Sequence, residues 1–408
     1  EKVEGLEAGA DDYMVKPFKP EALQEKIEAE LNSNPDIKVA PVLIPGTTVG
    51  SIDVELQVKD RLPLHGSLEL NNRSSHDTTD LRLNGLIRYD NLWQKEHSVS
   101  LQYQTSPEDT EEVSAIAASY VFPVPWKPER IFALYGVWSD SESAFGEGFN
   151  VIGKGFILGG RYVMPLGPKD RYSHSLTAGL DFKDFDEDLS FEQGDEDLAT
   201  PLKYMPLSFS YNGALPDPSG VTRFSAGVNM AFRNMVSDEE EFLTKRFQSR
   251  GNYIYAMAGI ERSQKLPLQM DLFVKLDGQI ADQPLPSNEQ YAAGGMESVR
   301  GYKESEILGD NGFHAMIELG GPEIFGLFDA PKTFRFKPYL FFDYAGLSIL
   351  DPLPGQEKTL HISGAGVGAR GSLTRFVEYG IDYGVALEDT DRVEEGDQMV
   401  YFTVKAKF

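Results

Sequence analysis

The chain has no cysteine, which excludes disulfide frameworks and thiolate metal sites. It has only six histidines, none in a metal spacing such as H-E-x-x-H. No run reaches 18 apolar residues, so no transmembrane helix is encoded. Positive charge is also scarce. Against 64 Asp and Glu stand 38 Lys and Arg, and the net charge of -26 repels phosphate backbones, which excludes a nucleic-acid partner. No signal peptide is visible, and the chain starts mid-pattern at Glu1, so a preceding native segment is expected.

Glycine (39), phenylalanine (25) and tyrosine (18) are plentiful. The 408 residues suffice for two or three ordinary domains or one large barrel. A missing transmembrane helix does not exclude a membrane. A transmembrane strand needs about 9–11 residues, apolar only at alternate positions. From about Gly66 that alternation is monotonous. Val99, Leu101 and Tyr103 oppose Ser98, Ser100 and Gln102. Leu176, Ala178, Leu180 and Phe182 oppose Ser175, Thr177, Gly179 and Asp181. Tyr379, Ile381 and Tyr383 oppose Glu378, Gly380, Asp382 and Gly384.

The pattern predicts sixteen strands, near 66–72, 81–89, 97–104, 113–121, 130–138, 155–164, 173–182, 204–212, 221–233, 252–261, 270–281, 312–319, 336–346, 359–369, 376–387 and 399–408. Connections after even strands are short and marked by proline or glycine, as in "FPVPWKPE" and "GALPDPSG". Those after odd strands include the long acidic ones, such as residues 183–203. Long loops at one rim and short turns at the other fit an outer-membrane barrel. A soluble β-sandwich also alternates. The long strands, the aromatics at their ends and the even count favour the barrel. The last strand, "VYFTVKAKF", puts Val400, Phe402, Val404, Ala406 and Phe408 on one face. A closed barrel needs its last strand paired to the end.

Four stretches make residues 31–408 resemble the transporter of two-partner secretion, the TpsB or hemolysin activation/secretion family. "LNSNPDIKVAPVLIPGTTVGSIDVELQVKDRLP" resembles the end of a periplasmic POTRA domain, so residues 31–65 are read as its C-terminal part. "PLHGSLELNNRSS" resembles the entry to the first barrel strand. Val299-Arg300-Gly301-Tyr302 matches the family's VRGY motif. Phe341-Phe342-Asp343-Tyr344-Ala345 resembles its F-x-D-x-G motif, with Ala345 where glycine is usual. The resemblance implies a 16-stranded barrel over 66–408 and a loop, 282–311, that folds back into the pore. It also implies an ion pair between Arg300 and Asp343 in the lumen, with Phe341 and Ala345 beside it. Removing one partner of a well-desolvated pair costs about 3–5 kcal/mol, and a wet lumen would cut that toward about 1 kcal/mol or less, so the pair is read as fixing the loop's position and not as a source of stability. Phe402 and Phe408 resemble the signal read by the barrel-assembly machinery.

The implied activity is export of a large hemolysin- or adhesin-type exoprotein from periplasm to cell surface. Its partners are that client, the barrel-assembly machinery and the lipid and lipopolysaccharide of the outer membrane. No cofactor, metal or enzymatic step is implied. Rival readings are an assembly-type insertase of the same superfamily and a passive porin or receptor. The resemblance also implies a further POTRA domain and a plug helix, neither of which residues 1–30 supply. That stretch resembles the last third of a response-regulator receiver, a fusion or assembly artefact by this reading. In "AGADDYMVKPF" the match makes Lys16 the phosphate-contacting lysine, Pro17 the cis-proline position and Tyr13 the aromatic switch. The phosphoacceptor aspartate belongs to earlier receiver strands, so no phosphorelay is expected. The acidic runs "DEEE" and "GDEDL" lack calcium-loop spacing and read as solvated loops. The glycines of "GAGVGARG" lie in an alternating strand and read as residues that leave room in the lumen.

Overall fold

The computed structural model describes residues 36–45, 52–76, 78–140, 154–169, 171–185, 188–189, 198–199, 201–232, 236, 239–324 and 333–408. Tyr13, Lys16 and Pro17 of the receiver-like stretch lie outside the described residues. The chain divides into two units, Glu1–Leu64 and His65–Phe408. In the first, Ile37–Pro45 and Ile52–Asp60 pair antiparallel in unbroken register, from Ile37 opposite Asp60 to Pro45 opposite Ile52. These are the two β segments expected on either side of the Pro-Gly turn.

The second unit is a closed antiparallel barrel. Its strands are β1 (Leu64–Asn71), β2 (Arg82–Leu92), β3 (His97–Thr105), β4 (Ser114–Val124), β5 (Lys127–Asp140), β6 (Gly155–Lys169), β7 (Tyr172–Phe185) and β8 (Leu207–Asp217). There follow β9 (Gly220–Met230), β10 (Ile254–Lys265), β11 (Asp271–Ala281), β12 (Asn311–Gly320), β13 (Arg335–Ser348), β14 (Thr359–Ser372), β15 (Val377–Ala386) and β16 (Gln398–Lys407). Each overlaps the strand read from alternation. A short segment, Leu202–Tyr204, continues the β8 line along β7 beyond Met205-Pro206.

The sheet closes where β16 meets β1, from Thr403 opposite Asn71 to Lys407 opposite Ser67. Beyond that ladder Phe408 and Gly66 exchange both backbone hydrogen bonds, at 3.0 and 3.2 Å. The prolines expected in the short connections lie largely inside strands. "FPVPWKPE" is strand except for the turn at Pro125-Trp126, and the register shifts between the Pro123–Ile131 and Val124–Lys127 pairs, which leaves Pro128 and Glu129 outside the ladder. Proline has no N–H to offer a ladder, and a rim or a bulge tolerates that loss.

The faces separate by parity. Leu101, Leu158, Phe209, Leu340, Val367 and Ile381 point outward and are exposed. Asp181, Glu318, Asp343 and Asp382 point inward and are buried. An apolar outer wall over a polar interior is the reverse of a soluble sandwich and is what lipid demands. Toward the short-turn rim an aromatic belt runs across neighbouring strands. Ring centroids are 5.8 Å apart for Trp93 and His97, 5.5 Å for His97 and Tyr120, 5.2 Å for Tyr120 and Phe122, and 5.6 Å for Phe122 and Phe132. Such belts sit at the membrane–water interface. Two apolar clusters lie inside the wall, one against β4–β10 near the long-loop rim and one against β13–β15.

Candidate functional site: the loop inside the barrel

The segment between β11 and β12 is the sixth connection on the long-loop rim. It has no long-range alternation, yet it is not structureless. Tyr291–Ala293 pairs antiparallel with Ile307–Gly309, which makes a narrow hairpin whose tip is 294–306. Gly294 and Gly295 turn the chain at φ +114° and +101°, a region that only glycine enters at low cost. The tip carries Val299 to Tyr302 against the inner wall.

Arg300 is the centre of that contact. Its Nε and Nη2 donate to the two carboxylate oxygens of Asp343 on β13, at 2.7 and 2.8 Å. Its backbone N–H donates to the same carboxylate at 3.1 Å. Nη1 donates to Glu318 on β12 at 2.7 Å and lies 3.9 Å from Asp382 on β15. The guanidinium carbon sits 3.6 Å from the Phe341 ring centroid. This is a bidentate fork with a cation–π floor, a geometry open to arginine and closed to lysine. The sequence leaves open whether the pair is desolvated or wet, and the structure shows it desolvated. The Arg300 and Asp343 side chains are 2% and 0% exposed. Removing one partner of so desolvated a pair costs about 3–5 kcal/mol, against about 1 kcal/mol for a wet one.

The pair belongs to a larger network. Glu318 also accepts from Arg370 on β14, and Tyr339 donates to Asp382. Arg370 lies over the Tyr339 ring at 4.1 Å. Two guanidiniums thus face three carboxylates, and the tip supplies one of the two cations. Phe341 and Ala345 flank Asp343 on the inner face.

The neighbours of Arg300 in the motif are held by backbone-directed contacts. The Tyr401 hydroxyl on β16 accepts from Gly301 N–H at 2.8 Å and donates to the Tyr302 carbonyl at 2.6 Å. Tyr302 is fully buried, and its hydroxyl donates to the Glu388 carbonyl at 2.8 Å. Val299 is buried with Ala345, Leu347 and Ile362. Gly301 has φ +114°, and a Cβ there would meet Ala386 N at 2.8 Å. On the wall, a Cβ at Gly364 would meet the Arg300 carbonyl at 1.8 Å. The Gly364 of "GAGVGARG" therefore does not leave empty lumen, as expected above. It makes the seat that the tip fills.

Other rim loops clasp the tip. His314 on β12 contacts the Ser298 carbonyl at 2.9 Å and Asp277 on β11 at 3.1 Å. Arg73 of the first loop donates to Glu297 at 2.6 Å and to Glu304 at 3.0 Å. Burial opposes the Arg73 charge, but Glu304 and Glu297 outweigh it and hold the guanidinium above its usual range. Lys303 donates to Asp80 at 2.9 Å, and that hydrogen bond holds the Asp80 carboxyl below its usual range. At the loop's C-terminal end, buried Asp310 accepts from Leu285 N–H at 2.8 Å and Leu350 N–H at 2.7 Å.

Val299, Arg300, Gly301, Tyr302, Phe341, Asp343 and Ala345 therefore come together. Phe402 and Phe408 lie apart from them on the closing strand, on its outward face. The sequence reading missed Glu318, Arg370, Tyr339 and Tyr401. All four sit at inward parity on β12–β14 and β16, so parity was the signal, but it names no partner.

Residues 208–371 match the model of the family described as haemolysin secretion/activation protein ShlB/FhaC/HecB. The fold is similar to CdiB from Escherichia coli, with TM-score 0.74 and 20% identity over 94% of this chain and 69% of that one. CdiB from Acinetobacter baumannii gives 0.65 and 17% over 91% and 66%. BamA from Haemophilus ducreyi lacking POTRA domains 1–3 gives 0.64 and 13% over 95% and 78%. A short stretch is 43% identical over 54 residues to the DNA-binding response regulator MtrA of Mycobacterium tuberculosis, 13% of this chain and 21% of that protein. The chain thus spans about a fifth of the response regulators it matches. The family model thus covers the stretch from β8 to β14, and the barrel shares its fold with the CdiB and BamA structures.

Proposed function

We propose that the barrel exports a large exoprotein from periplasm to cell surface, with the loop between β11 and β12 as its internal gate. The observation that carries this reading is the Arg300 fork on Asp343, Glu318 and Phe341. A passive pore needs no loop tip desolvated against its wall, whereas a gate needs one defined closed position. The client arrives unfolded, crosses the polar lumen extended, and folds outside. That folding supplies the direction, and no nucleotide or cofactor is required. Hemolysin- and adhesin-type exoproteins are the proposed client class. The match of residues 208–371 to a secretion family favours export over barrel insertion.

The test is a charge swap with a cognate client supplied. Arg300→Asp places a carboxylate against Asp343 and Glu318 and is expected to abolish secretion. Adding Asp343→Arg restores one salt bridge of opposite polarity and is expected to recover part of it. Normal secretion by Arg300→Asp would remove the gate from this reading.

A further inference from the structure

Arg300 secures only the tip of the loop, against β12–β15. Its base is held from the other side of the barrel by a separate cluster. Glu289 lies in a single 3-10 turn, Ser287–Glu289, and is buried. Its carboxylate accepts from Lys183 Nζ on β7 at 2.5 Å, the Tyr204 hydroxyl at 2.7 Å and the Tyr255 hydroxyl on β10 at 2.7 Å. Its carbonyl accepts from Gln279 Nε2 on β11 at 3.0 Å.

The two tyrosines belong to an aromatic cap at the long-loop rim. Tyr204 contacts Phe185 at 6.3 Å, Phe242 at 5.8 Å and Tyr253 at 6.3 Å between ring centroids, and Tyr253 stacks on Tyr255 at 6.0 Å. The cap is completed by Leu202 and Leu285, both fully buried. Leu285 is itself a residue of the loop's base. The cap lines the inner wall of β4–β10, where the Arg300 network does not extend.

We propose that Glu289 is a second, independent lock on the pore loop, and that it couples the loop's base to the aromatic cap over the β4–β10 side of the barrel mouth. The reason is electrostatic. The carboxylate has three donors and packs beside the aromatic cap, and Lys183 lies 2.5 Å from it as its counter-ion. Withdrawing Glu289 leaves the Lys183 ammonium, with its side chain only 14% exposed, without this counter-ion, which is disfavoured far more than the pair itself. The loop therefore cannot swing out as one body unless both locks open. Opening the capped side requires only the Glu289 lock, with Arg300 still seated.

The inference rests on the barrel being an export pore, yet its test needs no client. The full chain is reconstituted in planar bilayers and its conductance recorded. Glu289→Gln keeps the shape and removes the charge. It is expected to raise the occupancy of open levels about tenfold or more, as loss of one member of a buried charge pair implies. Adding Lys183→Met removes the stranded cation and is expected to bring the occupancy part of the way back. Unchanged recordings for Glu289→Gln beside raised ones for Arg300→Asp overturn the proposal. If Glu289→Gln fails to fold, Tyr204→Phe with Tyr255→Phe keeps both rings and deletes two donors. Wild-type recordings from that variant also overturn the proposal. A chain that opens on Glu289→Gln but secretes no cognate client retains the lock and loses the export reading.

Discussion

At the scale of the residue, the site depends on what arginine alone can do. A lysine at position 300 offers one ammonium where the guanidinium makes a fork to Asp343 and a third bond to Glu318. Arg300→Lys keeps the charge and loses about two charge-assisted bonds, roughly 3 kcal/mol in all. The tip is expected to undock. A cysteine reporter, Ser305→Cys, should then react with a soluble maleimide many times faster than in the parent, with the barrel still heat-modifiable. Equal labelling rates would mean that charge alone holds the tip. Burial decides this outcome. Were the pair wet, lysine would serve nearly as well.

At the scale of the element, the tip and the strand facing it are complementary through absence. Gly364 on β14 has no side chain because the Arg300 carbonyl occupies that space. Gly364→Val is expected to abolish docking while β14 pairs normally with β13 and β15, since valine suits a strand. A crystal or cryo-EM structure of that variant with the tip still on β13–β15 would refute the seat. The closing seam is a second case. β16 and β1 share five paired positions, while β13 and β14 share fourteen. Phe408 extends the short ladder by two further hydrogen bonds. Phe408→Ser is expected to lower the outer-membrane yield several-fold, read as loss of the heat-modifiable band.

At the scale of the whole molecule, much was legible because a barrel wall is a local code. Each strand in lipid must alternate, whatever its neighbours do. Sixteen stretches with period two therefore reported their positions to within a few residues, and β3, expected at 97–104, is His97–Thr105. The even count and the alternation of long and short connections also follow from the chain order. The partner of Arg300 was named through a motif match, with lumen-facing parity on β13 to support it. The rest of the network could not be read this way. Glu318, Arg370, Asp382 and Tyr401 lie 18 to about 100 positions from the tip residues they serve. Alternation says that each faces inward and is silent on which of them meet across the barrel.

What the sequence determined by itself was the wall, its strand count, the face each residue takes and the loop that carries the motif. These follow from the period of the backbone and from the need to satisfy every peptide group in lipid. What only the tertiary structure decided was the interior. Closure brings β7, β10 and β11 around Glu289, and β12 to β16 around Arg300. It also removes water from Arg300 and Asp343, and so decides between the desolvated and wet environments that the sequence left open. Desolvation is a property of the assembled neighbours and not of any one segment, which is why composition and period could not report it.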